Sequence, residues 1–117
     1  MTKINLDFLM GGFCNPQKDQ VLLHALCNLK KIPFTPNMGA ESAYSISSKA
    51  QPIYTACKFP KAPTGDYGTC SFNLRELASL LISRGEISET QLDDEIVSLM
   101  SSVYSDTGYI DSMGPFF

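Results

Sequence analysis

The chain has one histidine and four cysteines among its 117 residues, and these side chains are the first candidates for nucleophilic or metal chemistry. Cys14 stands just before Asn15 and Pro16, where a helix is expected to begin, and the positive end of a helix dipole lowers the pKa of a thiol. A thiol enzyme also needs a base. His24 lies on the polar face of that predicted helix, roughly 12–15 Å from its start, so the two side chains cannot touch. We therefore expect an ordinary cysteine and an unrelated surface histidine, and a thiol-dependent enzyme centred on Cys14 remains only an alternative.

The spacing of the four cysteines is C-x12-C-x29-C-x12-C, a symmetry that suggests a zinc site. Structural zinc sites take their cysteines in pairs about two to four residues apart, so that one turn supplies two ligands. No such pair occurs in the sequence, and we expect no metal and no cofactor. The four cysteines could form two disulfides, but nothing else in the sequence indicates an oxidising compartment. No apolar stretch has the length of a membrane span. The sequence predicts free thiols in a cytoplasmic protein without a membrane partner.

Charge is distributed unevenly along the chain. Residues 1–84 hold all nine lysines and arginines against five acids, a net charge of +4. Residues 85–117 hold seven acids and no lysine or arginine, a net charge of −7. Asymmetry of this kind bears on partners and solubility more than on fold. Six acids of the second segment are the candidate partner-binding residues: Glu89, Asp93, Asp94, Glu95, Asp106 and Asp111.

The helices predicted at 73–84 and 89–105 have the spacing of a DNA-binding helix-turn-helix. The second of them carries acids near its start and no basic residue, so repulsion by phosphate excludes direct nucleic-acid binding. Acids in the first turns of a helix are favoured by its dipole, which accounts for about half of the cluster. Asp93 is different because it points into the apolar arc of the helix. It therefore needs a cationic partner or an exposed edge.

Hydrophobic periodicity indicates the other elements. The alternation of apolar and polar residues at 4–10 predicts a first strand, and 43–48 and 53–59 are two further candidate strands, the last one rich in β-branched and aromatic residues. A helix is predicted at about 16–31, and prolines and glycines at 61–69 indicate a loop. The buried face of that helix would hold Val21, Leu22, Ala25, Leu26 and Leu29.

Capping patterns define the two C-terminal helices. Asn73 begins an N-x-x-E pattern that would cap the first of them, and Gly85 supplies a left-handed stop. Ser88 and Gln91 form a capping box that starts the second. We expect a tight turn to join the two as an αα-hairpin.

These elements predict a single α+β domain over residues 1–117: a small antiparallel sheet covered by an N-terminal helix and a C-terminal αα-hairpin. The favoured function is a non-enzymatic protein-binding or inhibitory module, a small acidic modulator or nucleic-acid mimic for which a phage is one conceivable source, which presents its acidic C-terminal hairpin to a basic surface of another protein. A nucleic-acid-binding protein is one such partner. An alternative is a structural or assembly subunit, with a homo-oligomer left open. It would dock through an aromatic tail that contains Tyr109, Ile110, Phe116 and Phe117.

Overall fold

The structure is a computed structural model that describes residues 16–37, 43–59 and 67–105. In these ranges the chain forms four helices and no strand. The predicted α+β fold with an antiparallel sheet is therefore wrong, and the described part of the chain is all helical. The strand predicted at 4–10 lies outside the described residues. The helices are α1 (Pro16–Leu29), α2 (Ala43–Ala56), α3 (Tyr67–Ser83) and α4 (Glu89–Ser101).

Helix α2 occupies the segment in which two strands were predicted. Its residues have β-branched and aromatic side chains that suit a sheet, but their spacing also builds one helical stripe. Burial of that stripe against the other helices outweighs the local preference, and helix α2 even includes Pro52, which removes one helical hydrogen bond. The buried stripe consists of Ile46, Ala50, Ile53 and Tyr54, and it is continued by Cys57 directly after the helix.

Helix α1 is the centre of the fold. It packs against α2, α3 and α4, and every residue from 19 to 27 is buried. Nine consecutive buried residues cover the whole circumference of a helix, because α1 turns once in about 3.6 residues. The predicted apolar face is confirmed, but the opposite face is not a solvent face. His24 is only 6% exposed, so its predicted position on the surface is wrong.

Helices α1 and α2 run in the same direction, because their contacts follow the same order along both helices. The Lys49 ammonium of α2 donates to the Gln20 side chain, 3.0 Å away, in the first half of α1. At the other end, Cys57 lies close enough to Cys27 to raise the pKa of its thiol. Residues 30–37 bring the chain back along α1, because Asn37 contacts Gln20 in the first half of that helix.

Contacts with α1 also define the directions of α3 and α4. Asp19 pairs with Arg75 of α3, and further along Lys30 pairs with Glu86, which follows α3, so α1 and α3 are parallel. Helix α4 starts beside the end of α1, and its Glu95 lies within electrostatic range of His24, so α4 runs antiparallel to α1. Helix α4 packs mainly on α1, and α3 mainly on α2. The two helices of the predicted hairpin, α3 and α4, therefore pack more closely on other helices than on each other.

Three helices end in the same hydrogen-bond pattern. At the ends of α1, α2 and α3 the backbone turns back in a Schellman motif, whose left-handed residue is Lys31 (φ 59°), Lys58 (φ 53°) and Gly85 (φ 74°) respectively. The predicted glycine stop is confirmed. The lysines place cations at the negative ends of two helix dipoles, which offsets part of the conformational cost of a side chain in this region.

The start of α4 is predicted correctly, whereas the start of α3 is not. The Ser88 hydroxyl accepts a hydrogen bond from the Gln91 backbone at 3.0 Å, and the Gln91 side chain accepts one from the Ser88 backbone at 2.9 Å. This is the predicted capping box. Asn73, however, lies inside α3, which already begins at Tyr67, in the segment predicted as a loop.

Candidate functional site

The acidic residues of α4 divide into exposed and buried ones. Glu89 and Asp94 are exposed, Glu95 is half-buried and Asp93 is only 6% exposed. The burial of Asp93 confirms its position within the apolar arc and rules out the exposed edge. Its carboxylate cannot reach a partner surface while α4 stays in place. Of the predicted partner-binding residues, Asp106 and Asp111 lie outside the described residues.

The chain itself neutralises one acid that precedes α4. The Glu86 carboxylate lies 2.6 Å from the Lys30 ammonium and 3.8 Å from the Arg84 guanidinium. The hydrogen bond from Lys30 is the main reason that the pKa of Glu86 is lowered. The acidic surface that remains for a partner is therefore smaller than the sequence count of seven acids, and within the described residues it centres on Glu89, Asp94 and Glu95.

The solvent face of α4 is otherwise uncharged. Asp94 lies near the middle of this face, with hydroxyl and amide side chains around it, and no lysine or arginine occurs in α4. A cation that approaches α4 thus meets carboxylates and neutral dipoles only. The exposed neighbours of Asp94 on this face are Thr90, Gln91, Ser98 and Ser101.

A second polar cluster lies inside the fold, where sequence reasoning did not place one. The Gln20 side-chain amide donates to the Asn37 carbonyl at 2.8 Å and accepts from the Asn37 backbone N–H at 2.9 Å. Gln20 also accepts from Lys49, whose ammonium lies 5.5 Å from the centre of the Phe34 ring. This amide holds the linker after α1 against the first half of the central helix.

One turn further along α1, His24 joins the central helix to the chain that follows α4. Its Nδ1 atom lies 2.8 Å from the Tyr104 hydroxyl, and the two residues are 6% and 0% exposed. The Phe34 ring covers the imidazole at 4.6 Å between centroids, and the Tyr104 ring meets it edge-on at 5.6 Å. Burial lowers the pKa of His24, with Glu95 acting to raise it and Lys49 to lower it.

The sequence contained one weak signal for this cluster. The predicted polar face of α1 centres on uncharged side chains, Gln20 and His24, whereas a solvent face usually carries many charges. Tyr104 gave no signal of its own, because its partner lies eighty residues away in the chain. Pairing across such a distance is decided by packing.

The surroundings of the two cysteines in the described part of the chain do not activate their thiols. Cys27 and Cys57 are free and buried, and burial, with a smaller effect from Cys57, raises the pKa of Cys27 to about 12. A thiol that stays protonated is a poor nucleophile. Cys14 and the aromatic tail, on which the two alternative functions depend, lie outside the described residues.

No three His, Cys, Asp or Glu side chains of residues 16–37, 43–59 and 67–105 are grouped so that they could hold a metal ion. None of the four helices has both the length and the hydropathy that a membrane crossing requires.

No protein-family model, curated protein or solved structure matches this chain.

Proposed function

We propose that this protein is a non-enzymatic binding module whose helix α4 docks on a basic surface of another protein. The observation that carries the proposal is the charge of residues 85–105, which hold five acids and no lysine or arginine. Folding needs account for part of this charge, because Asp93 is buried and Glu86 pairs with Lys30. Glu89 also lies in the first turn of α4, where the helix dipole favours an acid, so the charge that folding leaves unexplained is that of Asp94 and Glu95.

Three features support α4 as the contact surface. Glu89 and Asp94 are exposed, Glu95 is half-buried on the same helix, and the exposed side chains between Glu89 and Asp94 are neutral. A capping box fixes the start of the helix, so the first turn is rigid before a partner arrives. Carboxylates that are already in position raise the association rate with a basic partner and repel acidic partners.

The test is capture of a partner from the source cells with the tagged full chain. Asp94→Lys should weaken capture of a basic protein by about tenfold or more, because like charges brought together at an interface cost several kcal/mol. Capture by the wild-type chain should also decline as salt rises above about 0.1 M, where the screening length falls to about 10 Å.

Glu76→Lys supplies the matched control. It changes the net charge of the chain by the same amount, but Glu76 lies on α3 and is half-buried there. We expect this variant to capture the partner as the wild type does. Equal loss in both variants would mean that net charge alone matters, and an unchanged partner with Asp94→Lys would refute α4 as the docking surface. Circular dichroism confirms that each variant retains its helices.

A further inference from the structure

Two buried cysteines lie at the same height near the ends of the parallel helices α1 and α2. The hydrogen bond between Gln20 and Lys49, 3.0 Å long, sets the relative height of the two helices. Cys27 follows Gln20 by seven residues, and Cys57 follows Lys49 by eight. Because a helix rises by about 1.5 Å per residue, two intervals that differ by one residue end at nearly the same height.

The side chains of both cysteines point into the same part of the core. Seven residues make almost two full turns, so Cys27 lies on the side of α1 from which Gln20 reaches α2. Cys57 lies seven residues after Ala50 and continues the buried stripe of α2. The two cysteines are 1% and 7% exposed and belong to one hydrophobic cluster.

Electrostatic effects agree with this arrangement. The pKa of the Cys27 thiol depends in part on Cys57. The pKa of Cys57 depends in turn on Lys30, which lies one turn beyond Cys27, and on Arg84 and Glu86, which lie after α3. Cys57 therefore faces the end of α1.

Hydrogen bonds hold the backbone at both positions. The Cys57 N–H donates to the Ile53 carbonyl at 2.9 Å, and the Cys27 carbonyl accepts from the Ile32 N–H at 2.8 Å. The axes of packed helices are about 8–10 Å apart, so Cα atoms that face each other come as close as about 4–5 Å. A disulfide spans about 4.4–6.8 Å between Cα atoms. A bond between the two sulfurs therefore requires rotation of side chains and no change of fold.

We propose that Cys27 and Cys57 are a redox pair, which closes to an intramolecular disulfide between the ends of α1 and α2 when a small-molecule disulfide serves as oxidant. Both cysteines are free thiols in the reduced protein described above. The redox pair does not involve the acidic residues of α4, so it does not depend on the proposed binding function.

The exchange with the oxidant has two steps. Cys57 reacts first, because it is the more exposed of the two and the Lys30 ammonium favours its thiolate. Its thiolate attacks one sulfur of the oxidant, forms a mixed disulfide and releases one thiolate. Cys27 then loses its proton and attacks the Cys57 sulfur, so that the second half of the oxidant leaves as a thiolate. Two cysteine thiols are thereby oxidised, the oxidant is reduced to two thiols, and the two protons of the cysteines pass to these thiols.

Burial makes this exchange slow in the folded protein. The pKa of Cys27 is raised to about 12, so its thiolate is rare near neutral pH. During folding the oxidant still has access to both thiols. The experiment therefore starts from the unfolded chain.

The reduced full chain is unfolded in guanidinium chloride and refolded at low protein concentration in a mixture of oxidised and reduced glutathione. Trypsin cleaves after lysine and arginine, and it places the four cysteines in separate peptides. We expect mass spectrometry to find the Cys27 peptide joined to the Cys57 peptide as the main cross-link. The cross-link should persist with about tenfold more reduced than oxidised glutathione, because structural disulfides resist reduction by the glutathione pool.

Thermal unfolding measures the effect of the cross-link on the fold. The disulfide closes a loop of about 30 residues in the unfolded chain, so the oxidised protein should have a Tm about 10 °C above that of the reduced protein. Cys57→Ala should abolish this difference. The matched control is the double variant Cys14→Ala/Cys70→Ala, which retains the redox pair and should show the same difference as the wild type.

Four results would overturn the redox pair. Cys27 and Cys57 could be recovered only as thiols or as mixed disulfides with glutathione. Either of them could form its main cross-link with Cys14 or Cys70. The oxidised protein could lose its helical circular dichroism, whereas closure should leave the helices in place. Cys57→Ala could show the same shift in Tm as the wild type.

Discussion

The Asp19 carboxylate and the Arg75 guanidinium lie 3.6 Å apart inside the protein, with their side chains 0% and 8% exposed. This ion pair joins the first half of the central helix to the middle of α3. Removing one partner of a buried pair leaves the other charge without its counterion in a site that water does not reach.

Arg75→Met should lower the free energy of unfolding by about 3–5 kcal/mol, since the buried Asp19 carboxylate loses its ion pair with Arg75. The double variant Asp19→Leu/Arg75→Met should recover most of this loss, because neither charge is then buried. Urea denaturation followed by circular dichroism measures both. Equal destabilisation by the single and the double variant would contradict a direct coupling between the two residues.

Lys31→Gly should stabilise the protein by about 0.5–1 kcal/mol, because Lys31 has φ 59° and a side chain costs energy in the left-handed region. Lys58→Gly should have a similar effect at the end of α2, where φ is 53°. Gly85→Ala is the converse control. A Cβ there meets nothing within 4 Å, so its cost of about 1 kcal/mol is conformational. Thermal unfolding of the three variants tests these signs, and a loss of stability in Lys31→Gly would contradict them.

The free energy of unfolding should decrease as the pH falls below 6.5. The pKa of His24 is lowered in the folded state, so below the ordinary value of 6.5 the unfolded chain binds more protons than the folded one. The loss continues until the pH reaches the pKa of the folded state. His24→Gln should reduce this dependence, as denaturant titrations at about pH 7.5 and 5.5 would show. Identical slopes in both proteins would assign the dependence to other groups.

Glu86 affects a different pH range. Its pKa is lowered from 4.5, first by the hydrogen bond from Lys30, so its contribution to stability is present above 4.5 and is lost only as the pH falls through the lower folded value. The contribution of Glu86 therefore stays in place between about pH 7.5 and 5.5, where the wild type and His24→Gln are compared.

Cys27 should resist alkylation in the folded protein. Its pKa is raised to about 12 and its side chain is 1% exposed, so the reactive thiolate is scarce and inaccessible at pH about 8. Iodoacetamide labelling with peptide mass spectrometry should show Cys27 modified slowly in buffer and rapidly in guanidinium chloride. Equal rates in both solvents would show that the end of α1 opens readily.

Local chemistry was sufficient to predict α1 and the connection into α4. The helix predicted at 16–31 is observed at Pro16–Leu29, and both Gly85 and the Ser88 capping box occupy their predicted roles. Turns and caps depend on residues within one or two turns of each other, so sequence alone contains the necessary information. The position of Asp93 within the apolar arc follows from the sequence in the same way, but the structure was needed to choose between burial and an exposed edge.

Tertiary structure decided the identity of α2, the burial of α1 on all sides and the partner of His24. Sheet-forming side chains at 43–59 have a helical stripe as well as a strand pattern, and only the neighbouring helices select between them. An amphipathic pattern likewise shows which face of α1 is most apolar, but not whether another helix covers the opposite face. Helix α4 and Tyr104 cover part of it here, from positions far away in the chain. Burial of such a face is a property of the packed assembly of helices, which is why His24 could not be placed from its own segment.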